Sequence, residues 1–242
     1  MRTALIDADI LAYQASASAE QPYDWGEGLW TLHSFEADAA AHFESALGRV
    51  KENTKATKLI LAFSDKANWR KLVLPTYKSN RIGVRKPMLL NYVKQYAENR
   101  YDCRSISTLE GDDLLGMMAT APDAKDIIVC SLDKDLKTIP GSHYNFGKDE
   151  SFTVTEEEAD YWHMMQTLTG DTTDGYAGCP SIGPKTAEKI LAAGDHWEAV
   201  VKAYEKAGLS EEEALVQARV ARILRHEDYD FEENQVKLWT PN

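Results

Sequence analysis

Three short apolar runs, Thr3-Ala4-Leu5-Ile6, Leu59-Ile60-Leu61-Ala62-Phe63 and Ile127-Ile128-Val129-Cys130, are each followed within a few residues by an aspartate. Continuous apolar stretches of this length are the pattern of strands buried on both faces, as in a parallel sheet covered by helices. In such a sheet, ligands collect outside the carboxyl ends of the strands. Asp7, Asp65 and Asp133 are therefore expected to meet at one edge, which a scatter of surface acids would not do. With Glu110, Asp112, Asp113, Asp135, Asp171 and Asp174 they make nine carboxylates, each placed where one site can collect it.

The order of patterns along the chain supports this fold class. Strand 3–7, a helix, and an acidic, aromatic loop through Tyr23, Trp25 and Trp30 come first. Helix 36–52, strand 58–63, a basic segment 66–86, helix 88–98, strand 103–107 and helix 111–121 follow. Strand 126–131, helix 134–138 and strand 143–146 close the alternation, which predicts an α/β core with a parallel sheet over residues 1–154. After Thr155 the strand signals stop, and helical patterns at 156–169, 184–192, 195–207 and 211–225 give a helical region over 155–242. Gln235 to Trp239 is read as a last short strand or a tail packed on the core. No internal repeat or Pro-rich linker separates the two parts, so they are expected to pack as one body.

The chemistry follows from the residue types. Oxygen ligands with no Cys or His cluster nearby suit Mg²⁺ or Mn²⁺ and argue against zinc. Cys103, Cys130 and Cys179 form no CxxC pair, and the six histidines are dispersed. So many carboxylates in one place would repel and take up protons unless cations neutralised them. Two ions roughly 3.5 to 4 Å apart can clamp the attacking and leaving oxygens of a phosphodiester. Glu110, Asp112 and Asp133 each begin a predicted helix, so at any single position a helix cap is an equal reading. For the whole set, convergence on one edge favours the metal site.

At 242 residues, 43% apolar and 27% charged, the chain has the make-up of a soluble globular protein. No apolar run approaches the ~18 residues of a membrane span, and Met1-Arg2-Thr3-Ala4 enters a strand rather than a signal-peptide core. A cytoplasmic protein is expected, and the lack of framework cysteines agrees with a reducing compartment. The net charge of −12 sits poorly with a nucleic-acid partner until its distribution is read. From Lys66 to Arg104 there are ten Lys or Arg against Glu98 and Asp102, a local excess of +8. That segment, including Arg70, Lys71, Arg85 and Lys86, is a candidate phosphate-binding surface. Trp69, Tyr92, Tyr96 and Tyr101 interleave with it, and packing is the better reading for them than base stacking.

A second phosphate site is suggested by Gly170-Asp171-Thr172-Thr173-Asp174-Gly175-Tyr176-Ala177-Gly178-Cys179-Pro180-Ser181-Ile182-Gly183-Pro184-Lys185-Thr186-Ala187. Gly183 permits close approach, Pro184 suits the first position of a helix, and the free amides there with Lys185 and Thr186 can hold a DNA phosphate. Such a hairpin grips backbone and not sequence. Plain punctuation would explain Gly-Pro alone; coupling to Asp171 and Asp174 favours the site.

These residues resemble the flap-endonuclease superfamily of 5′-nucleases, with its PIN-like core, and most closely the 5′→3′ exonucleases of short-tailed bacteriophages. Carrying the resemblance over most of the chain are Ala62-Phe63-Ser64-Asp65 with Asn68-Trp69-Arg70-Lys71, Tyr77-Lys78-Ser79-Asn80-Arg81, Leu109-Glu110-Gly111-Asp112-Asp113, Asp133 to Pro140, Gly170 to Tyr176, and Ala221-Arg222-Ile223-Leu224-Arg225. It implies a catalytic core with a helical arch within 66–100, a C-terminal helix-hairpin-helix that often holds K⁺, and the nine acids as ligands of two Mg²⁺ ions, with Mn²⁺ able to substitute. Tyr77, Lys78 and Arg81 match the motif at the base of the arch. If that segment is helical, Lys78 and Arg81 share a face and can stabilise charge on the scissile phosphate. The sequence departs from the family at Ala8, where Asp-Gly is usual, and at Ser181, where glycine is common. With 28 residues between Arg81 and Glu110, any arch is short.

The expected activity is a Mg²⁺-dependent 5′→3′ exonuclease on double-stranded DNA, with removal of RNA primers from hybrids and of 5′ flaps as related activities in phage replication. A non-catalytic DNA-structure binder is the alternative, and it has no need of the full carboxylate set. A toxin-type single-domain ribonuclease would share the acidic edge but leaves the C-terminal hairpin unexplained.

Overall fold

A computed structural model describes residues 1–192 and 196–241. In chain order the elements are β1 (Thr3–Asp7), α1 (Ala8–Ser18), β2 (Glu20–Asp24), β3 (Trp30–Ser34), α2 (Glu36–Thr54), β4 (Lys58–Ala62) and α3 (Arg70–Val73). Then come α4 (Leu90–Glu98), β5 (Asp102–Arg104), α5 (Gly111–Ala119), β6 (Ile127–Cys130), β7 (Gly141–Asn145) and β8 (Glu150–Val154). The C-terminal part holds α6 (Glu156–Thr169), α7 (Pro184–Leu191), α8 (His196–Lys206), α9 (Glu211–Ala221), β9 (Tyr229–Asp230) and β10 (Gln235–Val236). The predicted helix from 195 begins outside the described residues.

The central sheet has the order β5-β4-β1-β6-β7-β8, parallel throughout except for β8, which returns antiparallel along β7. Because β1 sits between β4 and β6, the strand order reverses beside it, and Asp7 at its end lies at the switch point where such sheets bind ligands. One apolar layer, with Phe43, Leu47 and Val93, packs α1, α2 and α4 on one face of the sheet. Leu109, Leu114, Leu115, Ile223 and Leu224 cover the other. In place of the expected aromatic loop, β2 and β3 form a hairpin whose Trp25 and Trp30 are exposed. Pro22 and the acids masked its strand alternation.

The helical part has its own core around Leu168, Val200 and Tyr204. Capping boxes start α6 (Thr155 with Glu158) and α9 (Ser210 with Glu213), satisfying amides that a helix start leaves free. His163, buried in α6, bonds the Ala218 carbonyl at 2.8 Å, and burial pushes its pKa down to about 3, so it is a neutral packing residue. Tyr96 and Tyr101 point their hydroxyls at Glu44, and Trp69 is buried, which agrees with the packing reading of these aromatics.

Candidate active site

The carboxyl ends of β1, β4 and β6 open into a cleft of about 990 Å³. Of the nine predicted acids, Asp7, Asp65, Glu110, Asp112, Asp133, Asp135 and Asp174 line it, with Tyr77, Lys78, Arg81, Arg85 and Lys86 on the same walls. Asp7 ends β1 and caps α1, accepting from the Ile10 amide at 3.3 Å and from Ser131 Oγ at 2.7 Å. Burial, and then the nearby charges of Asp9 and Asp133, push its pKa up to about 6. Asp112, in the first turn of α5, is driven above its ordinary range by burial and by Asp7 and Glu110. Asp135 is pushed up to about 7 by burial and by Asp133 and Asp171. Asp65 is half-buried, and the amides of Thr108 and Lys66 hold its pKa below the usual range.

Cations meet these acids at one wall. Lys78 Nζ bonds Glu110 Oε1 and lies 3.5 Å from Asp174 Oδ2, while Arg81 pairs with Asp174 Oδ1. Tyr77 Oη lies 3.0 Å from Glu110 and 2.9 Å from Asp174, its one proton shared between the two carboxylates. Burial alone would raise Glu110, but Arg70 and Lys78 outweigh it and bring its pKa down to about 2. Burial likewise opposes the Lys78 ammonium, which Glu110 and Asp174 hold above its ordinary range. The predicted shared helical face is not what joins Lys78 and Arg81. Lys78 has φ 53° and precedes a single 3₁₀ turn, Ser79–Arg81, so the two reach the site around a corner.

That corner is strapped to the loop from the C-terminal part. The Lys78 amide donates to the Asp174 carbonyl at 2.7 Å, and Asn80 and Arg81 donate to the carbonyls of Thr172 and Thr173. Asp171 accepts from the amides of Thr173 and Asp174 at 2.6 and 3.1 Å, shaping the turn that presents Asp174. The turn closes because Gly170 and Gly178 touch backbone to backbone. A Cβ on Gly178 would fall 2.3 Å from the Gly170 nitrogen.

Asp113 and Arg70 do not take their predicted roles, and Asp171 stands behind the cleft rather than in its lining. Asp113 is fully buried and accepts from both terminal nitrogens of Arg70, at 2.8 and 2.7 Å, instead of lining the cleft as a metal ligand. Arg70, expected among the DNA contacts, has a side chain only 3% exposed. A charge count cannot tell a basic surface from one buried arginine within it. Among the other expected contacts, Lys71, Lys185 and Thr186 are exposed outside the cleft, and Arg85 is clamped to Glu20 at 2.8 and 2.6 Å. Gly183 caps α7, with Pro184 in its first turn. Ser181 takes φ 63°, the left-handed conformation glycine would supply, at a cost of about 1 kcal/mol. Ala8 is buried in the core and does not line the cleft.

Asp9 was missed by the sequence reading. Its Oδ2 accepts from the Ser64 amide at 2.7 Å and its Oδ1 pairs with Lys94, both in the cleft wall. Spacing two residues after Asp7 in a first helical turn was the available signal. Ser131, placed by β6 to hold Asp7, was missed for lack of any motif.

The fit to divalent ions is a matter of donor chemistry. All the acids at the cleft are oxygen donors, and three of them are pushed toward protonation by burial and by neighbouring carboxylates. Among the described residues no three metal-ligating side chains are already gathered into a shell, and Lys78 and Arg81 occupy two of the acids.

The fold is shared with the phage T5 D15 protein, solved with metal ions, over 91% of this chain and 89% of that one, at a TM-score of 0.71 and 15% identity. The catalytic core of Rad2 in complex with DNA matches with a TM-score of 0.55 and 12% identity, covering 86% of this chain and 65% of that one. Residues 2–163 match the model of the 5′-3′ exonuclease N-terminal resolvase-like domain, and the chain belongs to that family. It is a 5′-3′ nuclease. Its relatives include the exodeoxyribonuclease of Enterobacteria phage T3, 32% identical over 98% of this chain and 92% of that protein. The exonuclease of Escherichia phage T7 is 33% identical over 98% and 93%.

Proposed function

We propose that the chain is a Mg²⁺-dependent 5′→3′ exodeoxyribonuclease of duplex DNA that also takes 5′ flaps and RNA primers in phage replication. Residues 1–154 would form the catalytic part and 155–242 the duplex-binding part. The observation that carries this is the single cleft in which acids from three strand ends, α5 and the loop after α6 face Lys78 and Arg81. Likeness to the phage T3 exodeoxyribonuclease supports the DNA substrate, the family model supports the polarity, and flap endonucleases among the relatives support the flap activity.

Asp7, Asp65, Glu110, Asp112, Asp133, Asp135 and Asp174 would hold the ions, with Asp171 shaping the turn that carries Asp174. Two divalent ions bound there supply charge neutralisation and activate water at neutral pH. The chain's own groups do the rest. Lys78 and Arg81 orient the scissile phosphate and stabilise the charge that grows on its oxygens. Tyr77 fixes the carboxylates of Glu110 and Asp174 through one hydroxyl. The amides at Gly183 to Thr186 with Lys185 hold a phosphate of the duplex away from the cut, and the same hairpin is the candidate K⁺ site.

A time course on internally labelled duplexes, blunt or 5′-flapped, with Mg²⁺ or EDTA, tests the proposal. Short products should leave the 5′ ends with Mg²⁺ only, and Asp133→Asn should bind DNA without cutting. Tight binding with no cleavage in Mg²⁺ or Mn²⁺ would make the chain a structural binder instead.

A further inference from the structure

Arg70 spends every N–H it has. Its Nε donates to the Val220 carbonyl at 2.9 Å. Nη1 donates to Asp113 at 2.8 Å and Glu110 at 3.2 Å, and Nη2 to Asp113 at 2.7 Å and the Arg222 carbonyl at 2.6 Å. A guanidinium has five donors, so none is left for a DNA phosphate. The guanidinium carbon sits over the Trp69 ring, 4.6 Å from its centroid.

The carbonyls it binds end α9, where a helix leaves acceptors unpaired and favours a cation. On the other side Asp113 also accepts from the Leu224 amide at 3.2 Å and the Glu110 amide at 3.2 Å. The segment from Val220 to Leu224 lies directly on α5, because Gly116 has no side chain. A Cβ there would fall 2.2 Å from the Leu224 carbonyl oxygen. Thus α3, the first turn of α5 and the end of α9 share one buried fork, and the carboxylate at its rim is Glu110.

We propose that Arg70 is a positioning residue that locks Glu110 to the C-terminal segment Val220 to Leu224, making that segment part of the support for the metal-binding acids. The inference rests on the reading of Glu110 as a metal ligand. It explains why the Ala221 to Arg225 motif accompanies the acidic ones although none of its side chains needs to touch substrate. The helical part then sets the geometry of the cleft from behind, besides delivering Asp174 from above.

Two variants of the full chain test it, read by Mn²⁺ binding in electron paramagnetic resonance without DNA, and by the salt dependence of duplex binding. Arg70→Lys keeps the charge but loses the fork, and Gly116→Ala displaces Leu224 and crowds Ile223 at the cleft wall without touching Arg70. Each should weaken Mn²⁺ binding by roughly 10-fold or more, as losses of supporting hydrogen bonds do, and neither should change the salt slope. Wild-type Mn²⁺ affinity in Arg70→Lys would overturn the proposal, as would a salt slope lowered by about one, the mark of a lost phosphate contact. If Gly116→Ala does not fold, Arg70→Lys decides alone. A wild-type protein that binds no Mn²⁺ would sink the metal reading itself and this inference with it.

Discussion

Divalent ions should bind this protein far more tightly at pH 8 than at pH 5, and the structure sets the size of the effect. Without metal, Asp7 is pushed up to about 6 and Asp135 to about 7, with Asp112 higher than its ordinary range as well. A ligand must be a carboxylate, so at pH 5 a metal has to displace protons. The penalty is roughly ten-fold for Asp7 and a hundred-fold for Asp135, at 1.36 kcal/mol per decade. If both ligate, apparent affinity should fall by up to about 10³ between pH 8 and pH 5. The same groups act on stability with a fixed sign. Their pKa values are raised above the unfolded value, so their contribution is fully present below about pH 3.8 and is lost as pH rises through about 6 and 7. Metal-free protein should thus lose melting temperature from pH 5 to 8, and metal should restore it most at pH 8. Calorimetry with Mg²⁺ or Mn²⁺ at both pH values, in buffers of different ionisation enthalpy, reads affinity and proton release together. An affinity that does not change with pH, with no proton released near pH 6.5, would refute the reasoning.

Replacing Lys78 by Ala should lower the single-turnover cleavage rate by roughly 10² or more, the usual loss for one electrostatic stabiliser; an unchanged rate would remove it from the mechanism. Gly178→Ala should cost at least about 2 kcal/mol, because the new Cβ lands on the Gly170 nitrogen and φ is +66°. A drop of roughly 4 °C or more in melting temperature is expected for a chain of this length, and a smaller one would mean that the turn yields. Lys185→Ala should weaken duplex binding alike for all sequences and reduce the salt slope by about one, leaving single-turnover cleavage at saturating enzyme intact. A slope equal to wild type would place the duplex elsewhere.

Much of the fold was legible because burial on both faces writes itself as uninterrupted apolar runs. β1, β4 and β6 were readable, and with them the edge where Asp7, Asp65 and Asp133 meet. β8 was not, since Glu150, Ser151 and Thr153 pair at an exposed antiparallel edge where no apolar face is required. Within the site, carboxylates are visible as a class, but their partners are not. Asp112 and Asp113 are neighbours with opposite fates because successive residues of a helix point about 100° apart, and only the tertiary position of Arg70 decides which one faces the cleft. Arg70 itself looks like any other cation of a basic segment until the end of α9, 150 residues later, supplies the carbonyl for its Nε.

The placement of Lys78 and Arg81 gives the cleft an order of events. On the proposed reading Glu110 and Asp174 are metal ligands, yet both are held by these two cations, Glu110 in a mostly buried pair with Lys78 and Asp174 in a pair whose Arg81 side chain is 50% exposed. With a divalent ion held by Glu110 and Asp174, Lys78 and Arg81 would lose these two partners. The ammonium and guanidinium then face the cleft with donors unspent, and a bridging phosphate is the group that satisfies them at least cost. Because the Lys78 amide stays bonded to the Asp174 carbonyl, the backbone need not move for this exchange; only the long side chains swing. These ion pairs neutralise the acids of the metal-free cleft, and the positive charge an ion adds there would be met by the phosphate that the two cations then bind.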